Sequence, residues 1–201
     1  MTDLPLITYV ATMSVTPGPN NLMLAASGVN FGLRRTFPHV LGVCLGCSLQ
    51  VLIVASLLAC AGGYLATARA WLALPGCSYL LWLAWRQAQA GQPGGVKAAQ
   101  PLGLIGAALF QWVNPKAWMM VLNSAILFLP AEGGLEAALW MAAIFVVINL
   151  PCISLWAVLG DRLRCRLQKP LALRLFNGSM AFLLAATALW IVIEEIHFAC
   201  H

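Results

Sequence analysis

The sequence predicts an all-α integral membrane protein, with six transmembrane helices arranged as two inverted three-helix repeats. Helices 1 and 4 are expected to break near the bilayer midplane. Three observations lead there. The chain of 201 residues is 62% hydrophobic and only 8% charged, where a soluble domain carries about 25% charged residues. Six stretches are uncharged or nearly so. Two of them are interrupted by proline-containing polar steps that no regular helix accommodates.

The stretches are Leu4–Leu33, Thr36–Ala68, Ala70–Trp85, Ala98–Ala131, Ala137–Gly160 and Leu175–Ile193. A span needs roughly 20 residues, so each is read as one helix. The third is short and borrows length if Arg69 and Arg86 snorkel. The first is cut at Thr16-Pro17-Gly18-Pro19-Asn20-Asn21, and the fourth at Asn114-Pro115-Lys116. Prolines remove backbone donors and clash with the preceding turn. In lipid the freed groups need partners, so broken helix is tolerated only where it packs in protein or lines a polar cavity. Ten residues into a helix is about 15 Å at 1.5 Å per residue, half of a hydrocarbon core of about 30 Å. Entry near Leu6 and near Leu104 therefore puts Thr16 and Asn114 close to the midplane.

Basic residues fix an orientation. Nine of the eleven Lys and Arg residues fall in the odd connections, at Arg34, Arg35, Arg86, Lys97, Arg162, Arg164, Arg166, Lys169 and Arg174, with Arg69 alone opposite. The positive-inside bias then places those connections in the cytoplasm and both termini outside. These charges read as topology signals rather than a nucleic-acid surface. No cleavable signal peptide is expected, since Asp3 stands where a basic n-region would.

The whole chain, residues 1–201, reads as one transmembrane domain. A linker at about 87–101, with Pro93-Gly94-Gly95, separates repeat 1 (about 4–86) from repeat 2 (about 102–196). Halves with an odd number of spans must be inverted if they are related. Pro17 and Pro115 stand 98 positions apart (115 − 17), as do Phe37 and Leu135 (135 − 37). Matching breaks in inverted halves point to a central binding site.

Lys116 is the basic residue well inside a span. A charge there costs about 2.5–3.5 kcal/mol on insertion scales and is by default a functional hypothesis. It either pairs with a substrate carboxylate or carries a proton; alternatively it snorkels, or caps a broken helix end. Asn20, Asn21 and Asn114 offer donors and acceptors suited to a zwitterion, and alternatively only satisfy carbonyls freed by Pro17, Pro19 and Pro115. The half-helix N-termini after Pro19 and Pro115 attract anions. Thr16 is a helix cap or a ligand, and Gly18 belongs to the same step. Gln50 and Asn149, the latter beside Pro151, either line the same cavity or join helices. Gly42, Gly46 and Ser48 form a small-residue stripe suited to close packing.

Seven scattered cysteines do not read as a disulfide framework. Cys44-x-x-Cys47 has dithiol spacing but lies in an apolar helix. A thiol-electron carrier using Cys44 and Cys47, with Cys152 as its second centre, is the rival from another class, and a passive channel is a third reading. His197, Cys200 and His201 offer at most an adventitious metal contact, so no metal site is expected. No Gly-Lys-Ser/Thr phosphate loop is present, so neither ATP drive nor any cofactor is expected. Tryptophans near span ends, Trp71 and Trp140 among them, read as interface anchors. A homo-oligomer is compatible with all this.

Two longer motifs add a family resemblance. Thr16-Pro17-Gly18-Pro19-Asn20-Asn21, followed by Ala26–Arg35, Gly42 and Gly46, resembles the first-helix signature of the LysE/RhtB amino-acid exporters. Phe110-Gln111-Trp112-Val113-Asn114-Pro115-Lys116-Ala117-Trp118 is similar to that family's fourth-helix Asn-Pro-Lys signature. The resemblance implies no enzyme but a secondary transporter: proton-driven efflux of amino acids or derivatives across a bacterial inner membrane. The cysteine/O-acetylserine and threonine/homoserine branches both fit. An antiport with protons is implied by the resemblance alone, because no Asp or Glu lies near the expected midplane.

Overall fold

The computed structural model describes residues 4–61, 85, 100–130, 134–165 and 170–199. Among them it is helical throughout, with no strand: α1 (Leu4–Val15), α2 (Pro19–Phe31), α3 (Leu33–Ala61), α4 (Leu104–Phe110), a 3-10 turn (Gln111–Val113), α5 (Pro115–Phe128), α6 (Gly134–Arg164) and α7 (Pro170–Ala199). All of the expected third span except Trp85, and nearly all of the linker, lie outside the described residues, as do Cys77, Cys200 and His201.

The two proline steps do interrupt their helices. Pro19 and Pro115 each start a helix, the position where a missing N–H is harmless. The connection between α2 and α3 is shorter than the sequence suggests. Arg34 and Arg35 already belong to α3, and Gly32 alone makes the turn. Its φ of 81° is left-handed, the conformation that favours glycine, whereas the Arg164 guanidinium that a Cβ there would meet is the movable end of a flexible side chain. Pro38 and Pro151 are carried inside continuous helices.

Contacts fix the helix directions. Leu33 N–H donates to Asp161 Oδ1 at 3.1 Å and Cys44 Sγ–H to the Val146 carbonyl at 3.7 Å, so α3 and α6 are antiparallel. Gly42 packs on Leu104 and Ala107, and Gly46 on Ala108 and Gln111, so α4 runs in the same sense as α3. Asn21 near the start of α2 shares the cavity with Asn149 and Ile153, while Gly28 near its end meets Ala157 and Asp161, so α2 and α6 run together; Gly160 meets Ala25. A side chain on any of these four glycines would collide with neighbouring backbone. The small-residue stripe expected at Gly42 and Gly46 thus serves close packing, and a second stripe joins α2 to α6.

The distribution of polarity is inverted relative to a soluble protein. Leu45, Leu49, Ile105, Leu109, Leu155 and Leu159 point outward at helical spacing, while Asn21, Gln50, Gln111, Asn114 and Asn149 are buried. Water would penalise such an apolar exterior; a bilayer favours it. Two helices, Leu33–Leu58 and Gly134–Arg164, are each long and apolar enough to cross a membrane. The main core gathers Val10, Val51, Val54, Val121 and Phe145 from α1, α3, α5 and α6.

Candidate functional site

The two helix breaks meet. α1 stops at Val15, and its last carbonyls are released because Pro17 and Pro19 cannot continue the ladder. Side chains take over each one. Asn21 Nδ2 donates to the Ser14 carbonyl at 2.7 Å and to the Thr16 carbonyl at 2.8 Å. Trp156 Nε1 donates to the Val15 carbonyl at 3.1 Å. Lys116 Nζ, from the other break, donates to the Thr16 carbonyl and Thr16 Oγ1, both at 2.8 Å, and to the Pro17 carbonyl at 3.1 Å. Thr16 Oγ1 in turn donates to the Met13 carbonyl at 3.1 Å.

Lys116 therefore caps the C-terminal end of α1, where helix dipole and ammonium attract. Its three hydrogen bonds go to oxygens without formal charge, so its positive charge is not neutralised. The lysine stem reaches this position over Gly18, where a Cβ would lie 2.6 Å from Cδ and 3.1 Å from Nζ. Gly18 is extended (φ 179°), so its smallness matters here rather than any special conformation.

The two half-helix N-termini differ. Asn114 Oδ1 accepts from the Lys116 N–H at 3.1 Å, so α5 is capped. Gly18 precedes α2 and offers no side-chain cap. The positive end of α2 is thus left beside the Lys116 ammonium, an arrangement that favours an anion.

Asn20 joins the breaks differently. Its Nδ2 donates to Gln111 Oε1 at 2.8 Å, and Gln111 Nε2 returns a bond to Asn20 Oδ1 at 3.3 Å. Gln111 also donates to the Ala107 carbonyl at 2.8 Å and accepts from Cys47 Sγ at 3.4 Å. Gln111 is a residue that the reading of the sequence passed over. It lies inside the fourth-helix motif and is fully buried, and an amide three residues before Asn114 was the available signal.

A cavity of about 30 Å³ lies between the breaks, space for about one or two waters. Gly18, Asn20, Asn21, Asn114, Lys116 and Asn149 all line it, with Ser14 and Cys47. Thr16 touches it through Lys116. Pro17, Pro19 and Pro115 shape its backbone without lining it, and Gln50 is not among its lining residues. Two lining groups have no hydrogen-bond partner among the described residues: Asn149 Nδ2 and Ser14 Oγ. Both residues are buried, at 2% and 4% exposure. Cys44 and Cys47 donate to separate acceptors rather than to each other. Among the described residues, no group of three or more His, Cys, Asp or Glu residues is placed to hold a metal.

The family model for "LysE type translocator" matches residues 11–195. A cysteine/O-acetylserine efflux protein from Klebsiella pneumoniae is 30% identical over 196 residues, covering 94% of this chain and 95% of its own. The proteins of that name from Escherichia coli K12 and Shigella sonnei are each 25% identical over 154 residues, covering 76% of this chain and 79% of theirs. No solved structure matches. A match of this extent identifies a membrane-embedded transporter and not an enzyme, and the chain belongs to the LysE type translocator family.

Proposed function

We propose that the protein exports a small neutral amino acid or close derivative, of the cysteine or O-acetylserine kind, from a bacterial cell. In this reading it is a six-span secondary transporter of the inner membrane, built as two inverted three-helix repeats with both termini outside. The helix directions support the inversion. Thr16 meets Lys116 while Tyr9 meets Phe128, so α1 runs against α5; α2 runs against α4, and α3 against α6, as two inverted halves require. The shared sense of α3 and α4 fits one further crossing between them.

One observation carries the substrate reading. The uncompensated Lys116 ammonium and the uncapped start of α2 face a cavity that also holds the unpaired Asn149 Nδ2 and Ser14 Oγ. The first pair suits a carboxylate. The unpaired groups, with the Asn20 and Asn21 amides, suit the polar remainder of an amino acid. The named efflux relatives supply the substrate class. The cavity is too small for an amino acid as it stands. Passage therefore needs the helices to move, as in alternating access rather than in an open channel. None of the lining residues is acidic, so proton coupling falls to Lys116 or to the substrate's own groups.

The test is export from cells fed dipeptides, with and without the protein, scoring which amino acids accumulate outside. Enhanced release of cysteine or another small neutral amino acid, abolished by dissipating the proton gradient, is the expected result. Unchanged external amino acids at normal protein abundance would overturn the reading.

A further inference from the structure

Five residues carry buried polar groups that have no partner among the described residues and do not line the cavity: Tyr9, His39, Ser48, Gln50 and Ser124. Three of these groups, the Gln50 amide, the Ser124 hydroxyl and the Tyr9 hydroxyl, neighbour its lining. Gln50 and Ser124 are 0% exposed. Each of the three stands one helical turn from a residue that does line it. Gln50 follows Cys47 by three on α3, Ser124 follows Met120 by four on α5, and Tyr9 precedes Met13 by four on α1. Residues at such spacing share a helix face. All three are displaced toward the same end of the molecule, where α1 begins and α3 and α5 end. The Tyr9 ring confirms the alignment, packing 5.9 Å from that of Phe128, itself four residues beyond Ser124.

The layer around them is otherwise apolar, built from Val10, Val51, Val54, Val121 and Phe145. Unpaired polar groups in such a layer are costly and rare, and each needs a reason. Packing gives none, because Phe, Leu and Ala would fill similar space without the penalty. On the opposite side of the cavity the polar groups are largely paired, Ser27 with Thr36 and Asn30 with Asn177. His39, unpaired as well, precedes Gly42 by three, on the face packed against α4.

We propose that Tyr9, Gln50 and Ser124 line the exit half of the translocation path, between the central cavity and the outer surface. The apolar layer about them is its closed gate. When it opens, two hydroxyls and one amide supply successive donors and acceptors to a small zwitterion. Being uncharged, they let it pass without trapping it, as conduction through successive weak sites requires. The proposal rests on the export reading and adds to it a route and a direction.

Accessibility tests it. Ser124→Cys is nearly isosteric, and Val121→Cys on the same helix is an equally buried control. Intact cells are treated with a membrane-impermeant charged maleimide during export, and modification at each position is quantified by peptide mass spectrometry. Position 124 should react at least tenfold faster than position 121, and its modification should block export. Reaction no faster than at 121, or only from the cytoplasmic face in inverted vesicles, would overturn the route. Tyr9→Phe keeps the ring and removes the hydroxyl; it should cut the maximal export rate threefold or more without changing half-saturation. An unchanged rate in both Tyr9→Phe and Gln50→Leu would also overturn it. The two readings fail separately. Fast labelling at 124 without amino-acid export keeps the route and removes the substrate. Export without fast labelling removes the route alone.

Discussion

Replacing Lys116 by Met separates capping from transport. The ammonium's three acceptors are not equally dependent on it. The Thr16 carbonyl keeps Asn21 Nδ2 at 2.8 Å, and Thr16 Oγ1 keeps its bond to Met13, so the Pro17 carbonyl is the group deprived. One unsatisfied carbonyl costs about 1–3 kcal/mol. Removing the intramembrane charge returns about 2.5–3.5 kcal/mol on insertion scales. These nearly cancel, so Lys116→Met should insert and accumulate like the parent protein. Transport should not survive as well. A charge-assisted bond to a carboxylate contributes about 1.5–3 kcal/mol, and each 1.4 kcal/mol is about tenfold. Export at limiting substrate should therefore fall about 10- to 100-fold. Proteoliposomes loaded with radiolabelled amino acid measure this, with protein quantified by immunoblot. Lys116→Arg divides the roles further, because arginine keeps the charge but does not release its proton at cellular pH. Weak residual export with Arg fits ion pairing, and none fits proton carriage. Near-normal transport by Lys116→Met would reduce Lys116 to a cap, leaving the site to Asn20, Asn21, Asn114 and Asn149.

Gly18→Ala should preserve protein abundance, since its extended backbone suits alanine, yet export should fall between parent and Lys116→Met because the new Cβ displaces the lysine stem; parental export would refute the packing argument. The double variant Cys44→Ala with Cys47→Ser keeps a donor for Gln111 Oε1 and should retain most export in the dipeptide-fed assay, whereas its loss at normal abundance would favour the thiol-electron carrier. Reporter fusions at Gly94 and after Lys169 should face the cytoplasm, and one after Glu132 the outside; an external signal at Gly94 would remove the basis of the inverted repeat.

The helix breaks were legible because proline chemistry is local. Nothing beyond Pro17, Pro19 and Pro115 is needed to see that a helix cannot continue there. That the breaks would touch was legible only as a numerical coincidence of spacing, since the contacts from Lys116 to Thr16 and Pro17 span 100 and 99 residues. Gln111 was missed for a related reason. A lone amide in an apolar helix is usually interhelical glue, and its reciprocal bond to Asn20 makes it that, at the one place where glue borders a cavity. Trp156 misled differently. A tryptophan near a span end reads as an interface anchor, whereas the Trp156 indole N–H closes the Val15 carbonyl at the heart of the break. Loop lengths were overestimated because charge marks where helices leave the membrane, not where they end, as Arg34 and Arg35 at the start of α3 illustrate.

Structural and ligand-binding explanations for the polar residues at the break do not compete. A bilayer supplies no water, so an interrupted helix survives only if side chains bond its loose carbonyls. Asn21, Trp156 and Lys116 meet that demand, and any polar group able to do so is also able to meet a substrate. What separates the two roles is what remains after the backbone is satisfied. Asn21 spends its donor on two carbonyls and Asn114 its acceptor on a cap. Asn149 Nδ2 and Ser14 Oγ have no partner among the described residues, and Lys116 bonds three uncharged oxygens that leave its charge unneutralised. The residue best placed to choose a substrate is then Asn149, two positions before Pro151 in the continuous helix α6. An Asn149→Leu variant should insert normally, because it removes an unpaired buried donor. It should weaken half-saturation for the exported amino acid about tenfold or more, the worth of one hydrogen bond to a charged group. Unchanged half-saturation would show that the cavity is a by-product of the break and that the substrate is held elsewhere.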